Sequence, residues 1–236
     1  MVERLTTDLG ITRIGVMYQD DSFGRAGYSG VQEALDRRGM EVAAVGIYPR
    51  NTTAVKRGLL DLRRGDPEAV VLIGAYQPVA SAIAWARHIG MNLVFIAISF
   101  TGGNELAQAL GKDAEGVFVT QVVPLPTDSS HPAVSSYMSA LSAYDSEAVP
   151  NFVSLEGYLA GRLAILGVEE CAPRVTRECF MDAIRGAEAI DIDGFSLSFG
   201  DDSQGSDTVF LTMISKDGSY HSIKTLPPEA LEDSGR

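Results

Sequence analysis

The chain has 236 residues and a mass of 25.2 kDa, enough for one large domain or two modest ones. Its 45% hydrophobic and 21% charged residues are typical of a globular protein and exclude a disordered chain, a collagen-like repeat and a disulfide scaffold. The net charge of −12 opposes the approach of a polyanion, so we expect no nucleic-acid partner.

Short apolar runs alternate with amphipathic segments from residue 13 to residue 123. Strands are predicted at 13–18, 42–48, 69–74, 93–98 and 117–123, and helices at 27–38, 79–89 and 104–110, with a further helix that Thr52 or Thr53 caps. The runs at 69–74 and 93–98 are continuously apolar, as in strands that are buried on both faces. The pattern predicts an α/β fold with a doubly wound parallel sheet.

The pattern changes after residue 124, where prolines and serines mark a turn-rich passage. Helices are predicted at 133–144, 152–168 and 175–186, strands return within 194–224, and 227–236 reads as a loose tail. We therefore divide the chain into a complete α/β lobe, residues 1–124, and a second part, residues 125–236. The second part has three helices but too few strands to cover them.

Targeting and redox signals in the sequence are sparse. No apolar stretch reaches the ~18 to 20 residues of a membrane helix, and Met1–Gly10 lacks the apolar core of a signal peptide. Cys171 and Cys179 are the two cysteines, and they are compatible with a disulfide in an oxidising compartment or with two free thiols.

Motifs for enzymes and cofactors are missing where an α/β sheet would carry them. The first strand-to-helix turn reads QDDSFG, Gln19–Gly24, in place of the G-x-G-x-x-G of a dinucleotide site. No acceptor aspartate follows the third strand, as a phospho-receiver requires. His88, His131 and His221 lack the spacing of a metal site or a triad. We predict a protein that is not an enzyme and holds no cofactor and no metal.

Candidate ligand contacts follow the apolar runs, because ligands of open α/β sheets bind beyond the carboxyl ends of the strands. These candidates are Asp21, Ser22, Phe23, Tyr76, Gln77, Ser99 and Phe100. Aromatic walls with hydroxyl and amide groups suit a small polar molecule. Structural roles fit the same residues: turn formation and helix capping for Asp20 and Asp21, and loop packing for Phe23, Phe100 and Tyr76.

Six segments, in this order and spacing, carry a resemblance to a known family. They are Ile14–Gly39, Val70–Pro78 (VVLIGAYQP), Ala86–Gly90, Gly116–Val123, Asn151–Arg162 (NFVSLEGYLAGR) and Phe199–Thr212. Together they resemble the type I periplasmic substrate-binding proteins, in particular the branched-chain amino acid binding group. The resemblance implies two α/β lobes that close on a ligand like a hinged trap. This chain resembles the second lobe followed by part of the first, whose opening segment has no counterpart.

The resemblance also implies roles for single residues. Phe23 stands where the family often has tyrosine, and Tyr76 matches a family aromatic residue after the third strand. Ser99 stands where the amino acid binders carry an acidic residue for the ligand's ammonium group, which a serine cannot replace as a charge. This departure puts an amino acid ligand in question, and one hypothesis is that Asp21 substitutes.

The implied function is non-enzymatic binding of a small polar metabolite, an amino acid or a related compound. The protein would be the receptor of an ABC-type uptake system or a sensor in signal transduction, with a membrane permease or a sensor kinase or cyclase as partner. Its location would be periplasmic or otherwise extracytoplasmic. The alternative is an interaction module without a ligand that forms homo-oligomers through uncovered helices. The apolar positions concerned are Leu155, Leu159, Leu163, Leu166 and Ile184.

Overall fold

The computed structural model describes residues 1–200 and 204–232, and these fall into two compact units. The first unit comprises Met1–Gln121 and Phe210–Arg236, and the second comprises Val122–Val209. Positions 201–203 of the family-like segment 199–212 and the last four positions of the predicted tail lie outside the described residues.

The described residues form nine strands and nine α-helices. The strands are β1 Ile14–Asp20, β2 Ala44–Pro49, β3 Ala69–Ile73, β4 Val94–Ala97, β5 Phe118–Gln121, β6 Ile190–Ile192, β7 Phe195–Leu197, β8 Phe210–Ile214 and β9 Tyr220–Ile223. The helices are α1 Val2–Leu9, α2 Ser22–Asp36, α3 Lys56–Arg64, α4 Tyr76–His88, α5 Asn104–Leu110, α6 Pro132–Tyr144, α7 Phe152–Glu170, α8 Arg177–Gly186 and α9 Glu229–Glu232. Two 3₁₀ helices span Ser99–Thr101 and Gly111–Asp113.

The sheet of the first unit has the strand order β2-β1-β3-β4-β5-β8-β9. Strands β1 to β5 are parallel, which confirms the predicted doubly wound α/β fold, and β8 and β9 continue the sheet antiparallel. Because β8 pairs with β5, residues from 210 onward belong to the first unit. The sequence-based division at residue 124 had placed them in the second part.

Helices cover the two faces of this sheet, and the helices that leave β1 and β3 lie on opposite faces. Helix α2 packs on the face of Tyr18, whose ring lies 5.3 Å from that of Tyr28. Helix α3 lies on the other face, where a Cβ at Gly46 would meet the Gly58 carbonyl oxygen at 2.7 Å. Helix α4 contacts α3, and α5 contacts α4. A crevice between β1 and β3 is the position where doubly wound sheets bind ligands.

The chain ends of the first unit are more ordered than the sequence pattern indicates. Helix α1 was not predicted, yet Val2 and Leu5 are buried in the main core cluster. The predicted loose tail is wrong for residues 229–232, which form α9. The preceding Leu226 is buried, and its backbone N–H donates to Asp8 at 2.9 Å.

Two helix starts differ from the sequence interpretation. Helix α2 begins at Ser22 rather than residue 27, because Asp21 caps it. Helix α3 begins after Val55, so the predicted capping by Thr52 or Thr53 is wrong. The Thr52 hydroxyl instead donates to the Pro49 carbonyl at 2.8 Å and closes the turn after β2.

The second unit consists of α6, α7, α8 and the hairpin of β6 and β7. A disulfide joins Cys171, the residue that ends α7, to Cys179 in α8, and settles the question that the sequence left open. Leu155, Leu159 and Ile184 are buried, so the expectation that they are uncovered is wrong. Among the described residues, no helix combines the length and the apolar character that crossing a membrane demands.

Candidate ligand-binding site

The turn after β1 fixes Asp21 as the cap of α2. One carboxylate oxygen accepts a hydrogen bond from the Gly24 backbone N–H at 2.8 Å, and the other accepts one from Gln19 Nε2 at 2.5 Å. Arg50 Nε lies 3.6 Å from that second oxygen. The Gly24 N–H first, then Gln19 and Arg50, hold the pKa of Asp21 below its usual range. Both oxygens of this ionised carboxylate are therefore engaged within the first unit.

Phe23 and Phe100 form a ring pair at the carboxyl edge of the sheet. Their centroids are 4.5 Å apart with an interplanar angle of 45°. Phe23 comes from the first turn of α2 and packs partly on the core cluster, while Phe100 comes from the 3₁₀ helix after β4 and is 59% exposed. Since β3 separates β1 from β4, the two rings meet above the end of β3, beside the crevice between β1 and β3.

The other predicted residues lie along the same edge. Ser22 is the exposed first residue of α2, and Tyr76 and Gln77 are the first two residues of α4. Tyr76 is half-buried and Gln77 is exposed. The structure thus places all seven predicted residues at one edge and brings Phe23 and Phe100 into direct contact. No group of three or more acidic, histidine or cysteine side chains suited to a metal ion occurs among the described residues.

Tyr48 is a buried polar residue of this edge that the sequence interpretation did not select. It is 2% exposed, and its hydroxyl donates to the Ile73 carbonyl at 3.4 Å. Burial first, and the nearby Asp21 carboxylate second, raise the pKa of Tyr48 well above its usual value. A Cβ at Gly74 would overlap the Tyr48 hydroxyl oxygen, so the glycine that ends β3 gives the phenol its space.

The parallel register aligns residues at the carboxyl ends of three neighbouring strands, which we call the terminal row. It consists of Tyr48, Gln19 and Gly74. Gln19 pairs with Tyr48 directly, and continuing the pairing Tyr18↔Ile73 brings Gly74 to the same level. Gln121, the last residue of β5, is another buried polar residue that the sequence interpretation did not select, and it is 1% exposed.

An open doubly wound sheet with aromatic side chains beside the crevice between β1 and β3 has the architecture of a ligand-binding lobe. A family model described as periplasmic binding protein matches residues 1–219. The chain belongs to the periplasmic binding protein family, and the predicted resemblance to its type I members is confirmed. None of the curated proteins matches the sequence.

Solved structures of similar proteins align with nearly the whole of this chain. A possible leucine/isoleucine/valine-binding protein from Rhodopirellula baltica SH 1 is 36% identical, with a TM-score of 0.89, over 95% of this chain and 62% of its own. A substrate-binding periplasmic protein from Ralstonia solanacearum is 27% identical, with a TM-score of 0.82, over 91% and 62% of the two chains.

A third structure, a putative branched-chain amino acid ABC transporter from Rhodospirillum rubrum, has 20% identity and a TM-score of 0.73 over 91% of this chain and 61% of its own. At this identity the likeness shows the fold alone. The chain spans about 62% of the length of the first two relatives.

Proposed function

We propose that the carboxyl edge of the first unit binds a small polar metabolite, an amino acid or a related compound, without catalysing a reaction. The Phe23–Phe100 ring pair is the observation that carries this proposal. Phe100 remains 59% exposed although a large apolar ring is stabilised by burial, and a ligand stacked against it would complete that burial.

The polar side chains of the edge complement the rings. Tyr76 and Gln77 begin α4, and Ser22 begins α2, so the two sides of the crevice each present hydrogen-bonding groups. A small ligand site of this kind needs apolar walls and a few polar groups that fix orientation. The neighbour from Rhodopirellula baltica is described as a possible leucine/isoleucine/valine-binding protein, which supports a ligand of similar size.

In the whole protein we assign the first unit to the second lobe of the family and residues 122–209 to part of the first lobe. The role of the whole protein would be that of a receptor for an ABC-type permease, with a sensor kinase or cyclase as the alternative partner. The Cys171–Cys179 disulfide supports an extracytoplasmic location, because disulfides persist in oxidising compartments.

Thermal unfolding with a panel of amino acids, their amides and short carboxylic acids tests this function. A compound at a hundredfold excess over its dissociation constant stabilises the folded protein by about 2.7 kcal/mol. Phe100→Ala should remove the stabilisation, whereas Tyr144→Ala, which truncates a 91% exposed ring on α6, should retain it. Equal stabilisation of both variants would reject the ring pair as a binding surface.

A second candidate function is self-association through the second unit. Helix α7 exposes Val153, Ile165 and Val168, with exposed fractions of 60%, 52% and 44%. An apolar groove of about 480 Å³ lies beside Leu159 and Phe195 in the same unit. A second copy of this chain would cover these surfaces. Light scattering should then show a dimer that Ile165→Ser dissociates, and a monomer at all concentrations would contradict this function.

A further inference from the structure

The outer edge of β2 lacks the protection that natural sheets give to an exposed edge. In the strand order of the first unit β2 comes first, and it pairs with β1 alone in the part of the chain that the structure describes. Its six residues, AVGIYP, carry no charge, and a proline comes only at the last position. Exposed edges are usually protected by charged side chains, prolines or bulges. The edge of β2 is therefore suited to pairing with a further strand.

An open groove of about 590 Å³ lies beside this edge. Strand β2 contributes Val45 and Ile47 to its lining, and α3 contributes Arg57 and Asp61. Side chains alternate along β2, so Val45 and Ile47 point to the face of α2, where Val45 packs on the main core cluster, whereas Gly46 points to α3. Ile47 is 44% exposed. A strand added here would meet an apolar side chain on one face of the sheet and α3 on the other.

The unpaired charge of the groove is positive. Its two carboxylates, Asp20 and Asp61, are each paired with an arginine at 2.7 Å. Arg57 is exposed, and among the described residues no carboxylate pairs with its guanidinium. Arg57 and Lys56 both lie in the first turn of α3, which contains no acidic residue, and the helix dipole adds to their positive potential there. A carboxylate on an added strand would supply the missing counter-charge.

We propose that the outer edge of β2 binds an acidic extended segment of a partner protein, which joins the sheet as a further strand. Main-chain hydrogen bonds to β2 supply the affinity, and the alternation of the segment, apolar beside Ile47 and acidic beside Arg57, supplies the specificity. A second copy of this chain is disfavoured, because pairing two β2 strands about a two-fold axis brings the α3 cations of both copies together. The ring pair of the candidate ligand site takes no part, so the two proposals are tested separately.

Three peptides test the pairing by isothermal titration at low salt. The acidic peptide acetyl-TVEVEVT-amide places its valines on one face of a strand and its glutamates on the other. The wild-type chain should bind it, and should bind acetyl-TVKVKVT-amide at least about tenfold more weakly, because the lysines face Arg57. The acidic peptide with N-methylated valines and glutamates keeps its charge but loses the backbone donors, and it should bind at least about tenfold more weakly as well.

Two charge reversals and hydrogen exchange locate the bound peptide. Arg57→Glu should weaken binding of the acidic peptide at least about tenfold. The matched variant Arg174→Glu makes the same charge change at an exposed residue of the second unit and should change the affinity by less than about twofold. The bound peptide should slow hydrogen exchange of backbone amides within residues 44–48.

Four results overturn the inference. They are no binding of the acidic peptide at millimolar concentrations, equal binding of the lysine or the N-methylated peptide, an unchanged affinity of Arg57→Glu, and protection from exchange confined to residues outside β2. Light scattering of the peptide-free chain tests the other occupant. A dimer that Ile47→Lys dissociates means that a second copy covers the edge, and this result also overturns the inference.

Discussion

Replacing Gly74 by alanine tests how the end of β3 accommodates Tyr48. The added methyl group would occupy the position of the Tyr48 hydroxyl oxygen and would lie 3.0 Å from Cζ. Tyr48 is 2% exposed, so its ring has little room to retreat. The phenol must shift, and its hydrogen bond to the Ile73 carbonyl, already 3.4 Å long, must break.

The expected cost follows from three contributions. Forcing an extra methyl group into a packed core costs about 1 to 3 kcal/mol. Losing a weak buried hydrogen bond adds about 0.5 to 1 kcal/mol, while replacing glycine stabilises by about 0.4 to 1 kcal/mol through the unfolded chain. Gly74→Ala should therefore lower the free energy of unfolding by about 2 kcal/mol.

Urea unfolding of a double-mutant cycle separates the overlap from other effects. In the Tyr48→Phe background the overlapping oxygen is gone, so Gly74→Ala should cost about 1 kcal/mol less than in the wild type. Gly30→Ala is the matched control, because a Cβ there meets no atom within 4 Å, and it should stabilise α2 by about 0.5 to 1 kcal/mol. A neutral Gly74→Ala, or additive effects of the two substitutions, would refute the reasoning.

Three further predictions concern the site and the second unit. Tyr76→Ala should weaken ligand binding by roughly 1 to 3 kcal/mol in a titration while leaving the ligand-free melting temperature nearly unchanged, since Tyr76 is only half-buried. The Cys171–Cys179 disulfide closes a loop between residues with a sequence separation of 8, and reducing it should destabilise the second unit by about 2.5 kcal/mol in urea unfolding. Burial raises the pKa of Glu156, so the folded protein loses stability as the pH rises above the pKa that this carboxyl group has in the unfolded chain. Glu156→Gln removes the charge, so it should raise the urea midpoint of unfolding at pH 7 and leave it unchanged at pH 3.

The parallel strands could be predicted from the sequence because each is a run of apolar residues buried on both faces. The strands β3 and β4 lie within one residue of the predicted runs 69–74 and 93–98. Helix α1 could not be predicted in this way, because its eight residues are stabilised by contacts of Val2 and Leu5 with the core rather than by local preference. The pairing of β8 with β5 joins residues about ninety positions apart, and no local pattern encodes it.

Some features of the candidate site could be predicted from the sequence, and others could not. The aromatic residues were predictable, since each directly follows an apolar run at the edge where ligands of such sheets bind. The contact between Phe23 and Phe100 depends on which strands are neighbours, and so does the terminal row. Gln121 lies within the predicted strand 117–123, and the local pattern could not indicate that this polar residue is only 1% exposed.

The hydrogen bonds of Asp21 confirm the capping role, one of its two sequence-based roles. An aspartate that binds a ligand's ammonium group needs an oxygen that can turn toward the ligand. Here one oxygen holds the first turn of α2 through Gly24, and the other holds Gln19, so contacting a ligand would break a bond that fixes the turn carrying Phe23. The lowered pKa expresses the same engagement, because the donors stabilise the charged form before any ligand arrives. Asp21 therefore caps α2 and holds the turn that carries Phe23.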